Sequence, residues 1–393
     1  MHTRPCWVEI STHAIQDNYR FLANLAGPQV ELLTIVKANA YGHSLKLCAP
    51  AVVGAGARWL GVTSVEEGIE ARRLCADTRI LVIGGAFRGQ GRDVVRHKLT
   101  PVVWDRSQFD ELEAAARGED VRSLPVHLEI DTGMSRQGAD PESLASLLAR
   151  FHRDSSLRLE GVMTHLFAAD EADERVTGDQ LERMESALNR IRSAGIHSGV
   201  LNVGNSAALL AGQAHKISEL ASRYEMKALM RPGLALYGII PEYDPAFGAA
   251  EPVSLRQARR ELKPVLSWKS QVVSVRSVAP GAVVGYNGTF VATEPMRLAL
   301  IAAGYADGLD RNLGNHFSLL VRGQRAPVVG RISMDQSVID VTDIPDVAGG
   351  DEVVILGRQG DESISAFDHA KAAGTIPWEI FTRIGARVTR IAI

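Results

Sequence analysis

The sequence predicts a (β/α)8 (TIM) barrel followed by a mostly antiparallel β domain. Three observations predict it. Up to about residue 240, short apolar runs alternate with longer amphipathic stretches. The runs are apolar almost throughout, as parallel strands covered on both faces must be. Beyond about residue 262, the texture changes to β-rich runs separated by turn residues.

In chain order the runs are "ELLTIVK" (31–37), "RWLGVTS" (58–64), "RILVIGG" (79–85), "LTPVVWD" (99–105), "PVHLEID" (125–131), "LEGVMTH" (159–165), "GVLNVGN" (199–205) and "KALMRPG" (227–233). Helical patterns lie between several of them: "VEEGIEARRLC", "SQFDELEAAAR", "PESLASLLARF" and "GDQLERMESALNRIRSAG". In the last, Leu181, Met184, Leu188 and Ile191 recur at helical spacing and Gly195 supplies a stop. About eight strand-helix units in roughly 240 residues is the size of such a barrel. A doubly wound open sheet is the rival, but no glycine-rich dinucleotide turn follows the first strand. The stretch around 240–262, "IIPEYDPAFGAAEPVSLRQARRELKP", carries four prolines and reads as a linker or crossover. The strand-rich runs that follow are "VLSWKSQVVSVRSV", "APGAVVGYNG", "MRLALIAAGYADG", "FSLLVRGQRAPVVGRISMDQSVIDVTD" and "DEVVILGRQG". The expected domains are therefore 1–245, the barrel, and 246–393, the β domain.

Composition excludes several functions. A net charge of -3 and a pI near 6.4 give no bulk electrostatic basis for binding nucleic acid or an anionic membrane. The three cysteines, Cys6, Cys48 and Cys75, are scattered without metal-ligand spacing and read as reduced thiols. The N-terminus "MHTRPCWVEI" has no apolar core long enough for a signal peptide, and no run reaches the length of a membrane span. The expected location is cytoplasmic.

In a barrel the active site forms at the C-terminal ends of the strands. The polar residues there are Lys37, Glu129, Asp131 with the nearby Arg136, His165, Asn205 with Ser206, and Arg231. Each has a bland reading: a solvated lysine, a structural histidine, a salt-bridge arginine. Together they say more. "GNSAALL" reads as a loop opening a helix, with backbone N–H groups and a hydroxyl suited to phosphate. Barrels often bind phosphate on the loops after the seventh and eighth strands, here "NVGNSA" and "MRPGLALYG". A lysine on an early strand and a phosphate cradle on the late ones suit a phosphorylated aldehyde held as a Schiff base.

Over essentially its whole length the chain resembles the alanine racemases, fold-type III enzymes of pyridoxal 5'-phosphate. The resemblance rests on "WVEI", "VKANAYGH", "IDTGMSRQG", "THLFAAD", "NSAALL", "RPGLALYG", "VGYNGTF", "GYADG", "GRISMDQ" and "GTIPWEIFTRIGARV", in that order. It implies interconversion of L- and D-alanine, with D-alanine supply for peptidoglycan as the biological use. It implies that Lys37 carries the cofactor and is one of two bases. The other is Tyr286, reaching the active site of the partner subunit in an obligate homodimer. His165 and Arg231 would hold that tyrosine's proton network, Arg231 also contacting the pyridine nitrogen. Tyr41, Ser206, Gly233, Leu234 and Trp378 match phosphate-binding positions, and Asn205 lies with them. Arg136 corresponds to the arginine near the cofactor's phenolic oxygen and the substrate carboxylate, which Met334 and Asp335 also meet. Asp170, Tyr305 and Arg331 match the substrate corridor.

The chemistry needs these residue types. Racemisation removes a Cα proton and returns one from the opposite face, so two bases are economical. A tyrosine needs its anion favoured, which imidazole and guanidinium groups can do. A guanidinium does not give up its proton at ordinary pH, so at the pyridine nitrogen it weakens the electron sink and favours fidelity over acceleration.

Two positions depart from the family pattern. Glu129 stands where many members carry a carbamylated lysine, and the expectation is that it pairs with Arg136. Trp378 stands where a tyrosine normally contacts the phosphate; indole is a donor only, so a contact is lost or replaced and the pocket mouth reshaped. A serine or broader amino-acid racemase is the alternative reading. A non-catalytic cofactor-binding protein is disfavoured because such barrels lack the β domain. A decarboxylase is disfavoured because no aspartate-cysteine pair lies in the second domain.

Overall fold

The structure is a computed structural model that describes residues 4–152, 154–171, 173–240 and 251–393. Its contacts divide the chain into two units, each described separately.

The first unit is a closed barrel of eight parallel strands. After the strand β1 (Cys6–Ile10) of the other unit, the barrel strands are β2 (Val30–Ile35), β3 (Trp59–Val62), β4 (Arg79–Val82), β5 (Thr100–Val103), β6 (Leu124–Glu129), β7 (Leu157–Met163), β8 (Val200–Asn205) and β9 (Lys227–Arg231). They are the eight apolar runs in order. Closure is made by β9 pairing β2, with Val30 opposite Ala228. Leu33, Leu60, Leu81, Val102, Val126, Val162 and Leu201 are buried, which is why the runs alternate so little. The helices Val65–Leu74, Arg106–Gly118, Pro141–Leu148 and Glu174–Ser193 fall on the four helical patterns. In Arg106–Gly118 a capping box of Asp105 and Gln108 fixes the start.

Several elements were not anticipated. Helices Thr12–Ala26, Leu45–Gly54, Gly91–Arg96 and Ala214–Arg223 also form. Val253–Glu261 is helical inside the stretch expected to be linker; Leu255 and Ala258 bury at i,i+3 spacing and outweigh the neighbouring prolines. The expected boundary at 245/246 lies outside the described residues.

The second unit comprises Pro264–Ile393 with β1 and the segment Tyr41–Leu47. Its spine is the strand Leu266–Val278, whose first half alternates buried and partly buried residues as a one-sided strand should. That strand pairs antiparallel with β1, Met296–Ile301 and Glu352–Gln359, while β1 and Thr389–Ala392 run parallel. Two short helices, Ala366–Ala373 and Pro377–Arg383, follow the sheet. A separate hairpin pairs Val283–Val284 with Phe290–Val291, and Tyr286 stands at its tip, 67% exposed. No helix among the described residues is long and apolar enough to cross a membrane.

Candidate active site

Strand β2 ends with its backbone tied on both sides. Ile35 N–H donates to Pro232 O, Val36 N–H to Gly61 O, and the buried Tyr237 hydroxyl to Ile35 O. Lys37 follows at once. Ala38, Asn39, Ala40 and Tyr41 all have φ between 52° and 56°, a left-handed turn built without glycine. Glu67, at the start of a neighbouring helix, holds that turn: its carboxylate accepts from Ala38 N–H at 2.6 Å and from Thr63 N–H at 2.9 Å. The sequence reading missed Glu67, which looks like an ordinary first-turn acid.

Lys37 Nζ donates no hydrogen bond among the described residues. Burial, then the Arg136 guanidinium, push its amine below the ordinary lysine value; Glu67 opposes this and Arg231 adds to it. His165, just past β7, is held neutral, down at about 3, by burial and then by Arg231, Arg136 and Lys37. Lys37, His165, Arg231 and Arg136 therefore feel one another's charge.

Arg231, at the end of β9, is 4% exposed. Nη1 donates to Asn202 O at 2.8 Å and to Asn202 Oδ1 at 2.7 Å; Nη2 donates to Thr164 O at 2.7 Å and to His165 Nδ1 at 3.1 Å. A guanidinium only donates, so Nδ1 accepts and the neutral His165 ring carries its proton on Nε2. Burial lowers the guanidinium to about 10, so it stays charged at neutral pH. Four of its five N–H groups are thus committed, and among the described residues Nε–H has no acceptor.

The loops after β8 and β9 meet at Ser206. Its Oγ accepts from Gly233 N–H at 2.9 Å and Ala235 N–H at 3.3 Å, leaving its own proton to give away. Asn205 caps the helix Ser206–Leu210 through Ala208 N–H and donates to Leu166 O. Leu234 is buried behind them. This set fits a pyridoxal phosphate: an amine whose pKa burial lowers, a spare buried N–H for a ring nitrogen, and a hydroxyl with loop backbone for the phosphate.

One expectation fails. Glu129 and Arg136 form no ion pair; the Glu129 carboxylate instead accepts from Gln137 Nε2, which also donates to Ile83 O. The reason is burial: Glu129 is 2% exposed while Arg136 is exposed to solvent. An amide costs less to bring alongside it than a cation. Burial raises the Glu129 carboxyl above its ordinary value, against the Gln137 hydrogen bond and the charges of Arg231 and Arg136. Asp131 serves its own loop, accepting from Gly133 and Ser135 N–H. Asp170 is exposed.

In the second unit, Tyr41 precedes Gly42, where a Cβ would come 2.2 Å from Phe381 O, so only glycine fits. Burial raises the Tyr41 phenol to about 12. Met334 and Tyr305 are exposed. Their loops interlock, Tyr305 N–H donating to Ser333 O and Ala306 N–H to Met334 O. The buried Asp307 takes both Arg4 and Arg387, and Arg387 also pairs with Asp335 at 2.7 Å. Arg331 is partly buried, and Trp378, on helix Pro377–Arg383, is 38% exposed.

Comparison with known proteins follows the same division. Residues 10–241 match the N-terminal domain of alanine racemase, and residues 265–392 its C-terminal domain. An alanine racemase of Halothermothrix orenii is 35% identical over 388 residues, 99% of this chain and 97% of the relative. The crystal structure of alanine racemase from the D-cycloserine producer Streptomyces lavendulae superposes with a TM-score of 0.87 at 33% identity, covering 100% of this chain and 98% of that one. That of Bartonella henselae, with covalently bound pyridoxal phosphate, gives 0.80 at 28% identity and 99% coverage of both. Matched in both halves and along nearly its full length, the chain belongs to the alanine racemase family.

Proposed function

We propose that this protein interconverts L- and D-alanine as a pyridoxal 5'-phosphate-dependent homodimer, with Lys37 and the partner subunit's Tyr286 as the two bases. The observation that carries this is the meeting of a lysine of lowered pKa, a neutral His165 and a buried Arg231 with a spare Nε–H at the C-terminal strand ends of one barrel. When bound, the cofactor's conjugated ring accepts the electron pair left at Cα as a proton is removed.

The chain's own residues do the rest. Lys37 would hold the cofactor through Nζ and would move a proton there on one face of Cα; its lowered pKa favours the uncharged form a base requires. Tyr286 does the same on the other face through its phenolic oxygen. His165 Nε2–H is the donor available to that oxygen, and a donor favours the phenolate. Arg231 offers Nε–H to the ring nitrogen while keeping its proton. Ser206, with the Gly233 and Leu234 backbone and Tyr41, Asn205 and Trp378, binds the phosphate. Arg136 and the backbone N–H groups at Met334 and Asp335 would receive the substrate carboxylate, and Asp170, Tyr305 and Arg331 would line its approach.

Borohydride reduction of the holoenzyme followed by peptide mapping places the label on Lys37, and polarimetry shows L-alanine losing its rotation. A label elsewhere, or stable rotation, overturns the reading. Trp378 favours a second reading, wider substrate range; a serine kcat/KM within about tenfold of alanine would establish it, since pockets discriminate weakly against an added hydroxyl.

A further inference from the structure

A polar chain runs through the barrel interior, where aliphatic layers usually pack. We infer that Asn202, His127 and Glu160 form a one-way hydrogen-bonded relay that anchors the Nη side of Arg231, making these three positioning residues for the reaction; the inference rests on the reading that Arg231 serves the cofactor.

Donor chemistry dictates the direction. Arg231 Nη1 donates to Asn202 Oδ1 at 2.7 Å. With Oδ1 so used, the Asn202 amide turns Nδ2 to His127, 3.4 Å from Nδ1. An amide nitrogen only donates, so Nδ1 accepts and the neutral ring keeps its proton on Nε2. Nε2 lies 3.8 Å from Glu160 Oε2, and among the described residues these two buried polar atoms have no other partner. A shift of under an ångström closes the last link. The carboxylate is anchored from its other side: Oε1 takes Arg79 Nη2 at 2.6 Å and Arg158 Nη2 at 3.2 Å. Arg79 is stacked 3.6 Å from the centre of the Trp59 ring, and Trp59 meets the His127 ring edge-on at 5.7 Å.

Two features show that the relay is built in. Strands β4 and β7 are not neighbours, so the Arg79–Glu160 pair spans the barrel at its N-terminal end, where Arg79, the first residue of β4, is exposed. Gly161 pairs with His127 across β6 and β7, and a Cβ there would lie 2.5 Å from the imidazole. The ring occupies the space a side chain at 161 would need. Buried ionic groups of this kind are weak contributors to stability, so a positional role explains them better. Every donor points away from Arg231 toward the carboxylate, and linked donors polarise one another. The guanidinium is thereby tethered by Nη1, and Nε–H is the group left for the cofactor.

Test it in the holoenzyme with Asn202→Leu, His127→Phe and the double variant. Each single variant should lower kcat roughly tenfold, as loss of an outer-shell partner does, with KM nearly unchanged. Each should also shift the bound cofactor's visible absorbance. The double variant should be no worse than the worse single one, because a broken chain cannot be broken again. 15N spectra of wild-type holoenzyme should show His127 protonated at Nε2 and bare at Nδ1. Additive losses, an unmoved absorbance with only a lower Tm, or a proton on Nδ1 would each overturn the relay. The spectroscopic arms do not depend on alanine turnover, so they separate failure of the relay from failure of the racemase reading. Should His127→Phe not fold, Asn202→Leu and the wild-type spectra still decide.

Discussion

A lysine acts as nucleophile or base only when uncharged, and at position 37 burial and the Arg136 charge work toward that state while Glu67 works against it. Removing that acid, as in Glu67→Gln, should make Lys37 of the cofactor-free protein react faster with an amine reagent at pH 8, measured by peptide mapping. His165 makes a pH prediction. Its folded pKa of about 3 lies below the ordinary 6.5, so between these values the unfolded chain binds more protons and stability falls as pH falls. The loss by pH 5 is about 2 kcal/mol, and His165→Gln should escape it; denaturant unfolding of the cofactor-free protein at pH 7 and pH 5 checks this. Glu129 has the opposite sign. Its pKa is raised, so the folded state holds the extra proton and stability falls as pH climbs through that window. Glu129→Gln keeps an acceptor oxygen for Gln137 and should leave Tm at pH 7 unchanged or higher; a clear fall in Tm would mean its charge is needed after all.

The turn after Lys37 is the element in which local preference and tertiary demand conflict. Left-handed geometry costs a residue with a Cβ about 1–2 kcal/mol, and four in succession adopt it. The Glu67 hydrogen bonds and the burial of Ala40 hold it in place. Ala38 is exposed and loses no packing on truncation. Ala38→Gly should therefore be neutral or stabilising by up to about 1 kcal/mol, whereas Ala145→Gly, exposed in a right-handed helix, should cost about 1 kcal/mol. Equal losses at both sites, measured by urea unfolding, would exclude the left-handed turn. The same argument explains why the turn was illegible: "KANAYG" has only one glycine, and nothing in it besides Asn39 and Gly42 favours positive φ.

At the scale of the whole molecule, Tyr286 stands exposed on a hairpin tip and Met334 on an exposed loop, as groups meant to meet something beyond their own unit would. If each active site takes Lys37 from one protomer and Tyr286 from the other, two inactive variants should complement. Lys37→Ala mixed equally with Tyr286→Ala, after subunit exchange, should recover roughly a quarter of wild-type activity, because half the dimers are mixed and each holds one intact site. No recovery despite mixed dimers by mass spectrometry would place both bases in one chain.

The sequence by itself determined the barrel strands, because burial on both faces leaves no polar alternation and eight such runs in order allow few folds. It also determined which strand ends carry Lys37, His165 and Arg231, since short motifs at strand ends keep their place whatever packs around them. Only the tertiary structure decided the partners. Gln137 rather than Arg136 reaches Glu129, Glu67 braces the lysine turn, and Asn202 and His127 run beneath Arg231. Polar residues inside "PVHLEID" and "GVLNVGN" were a visible signal of buried polar chemistry. Which group each one meets depends on strand register and on the space a glycine such as Gly161 leaves, distances across the barrel that no local pattern encodes.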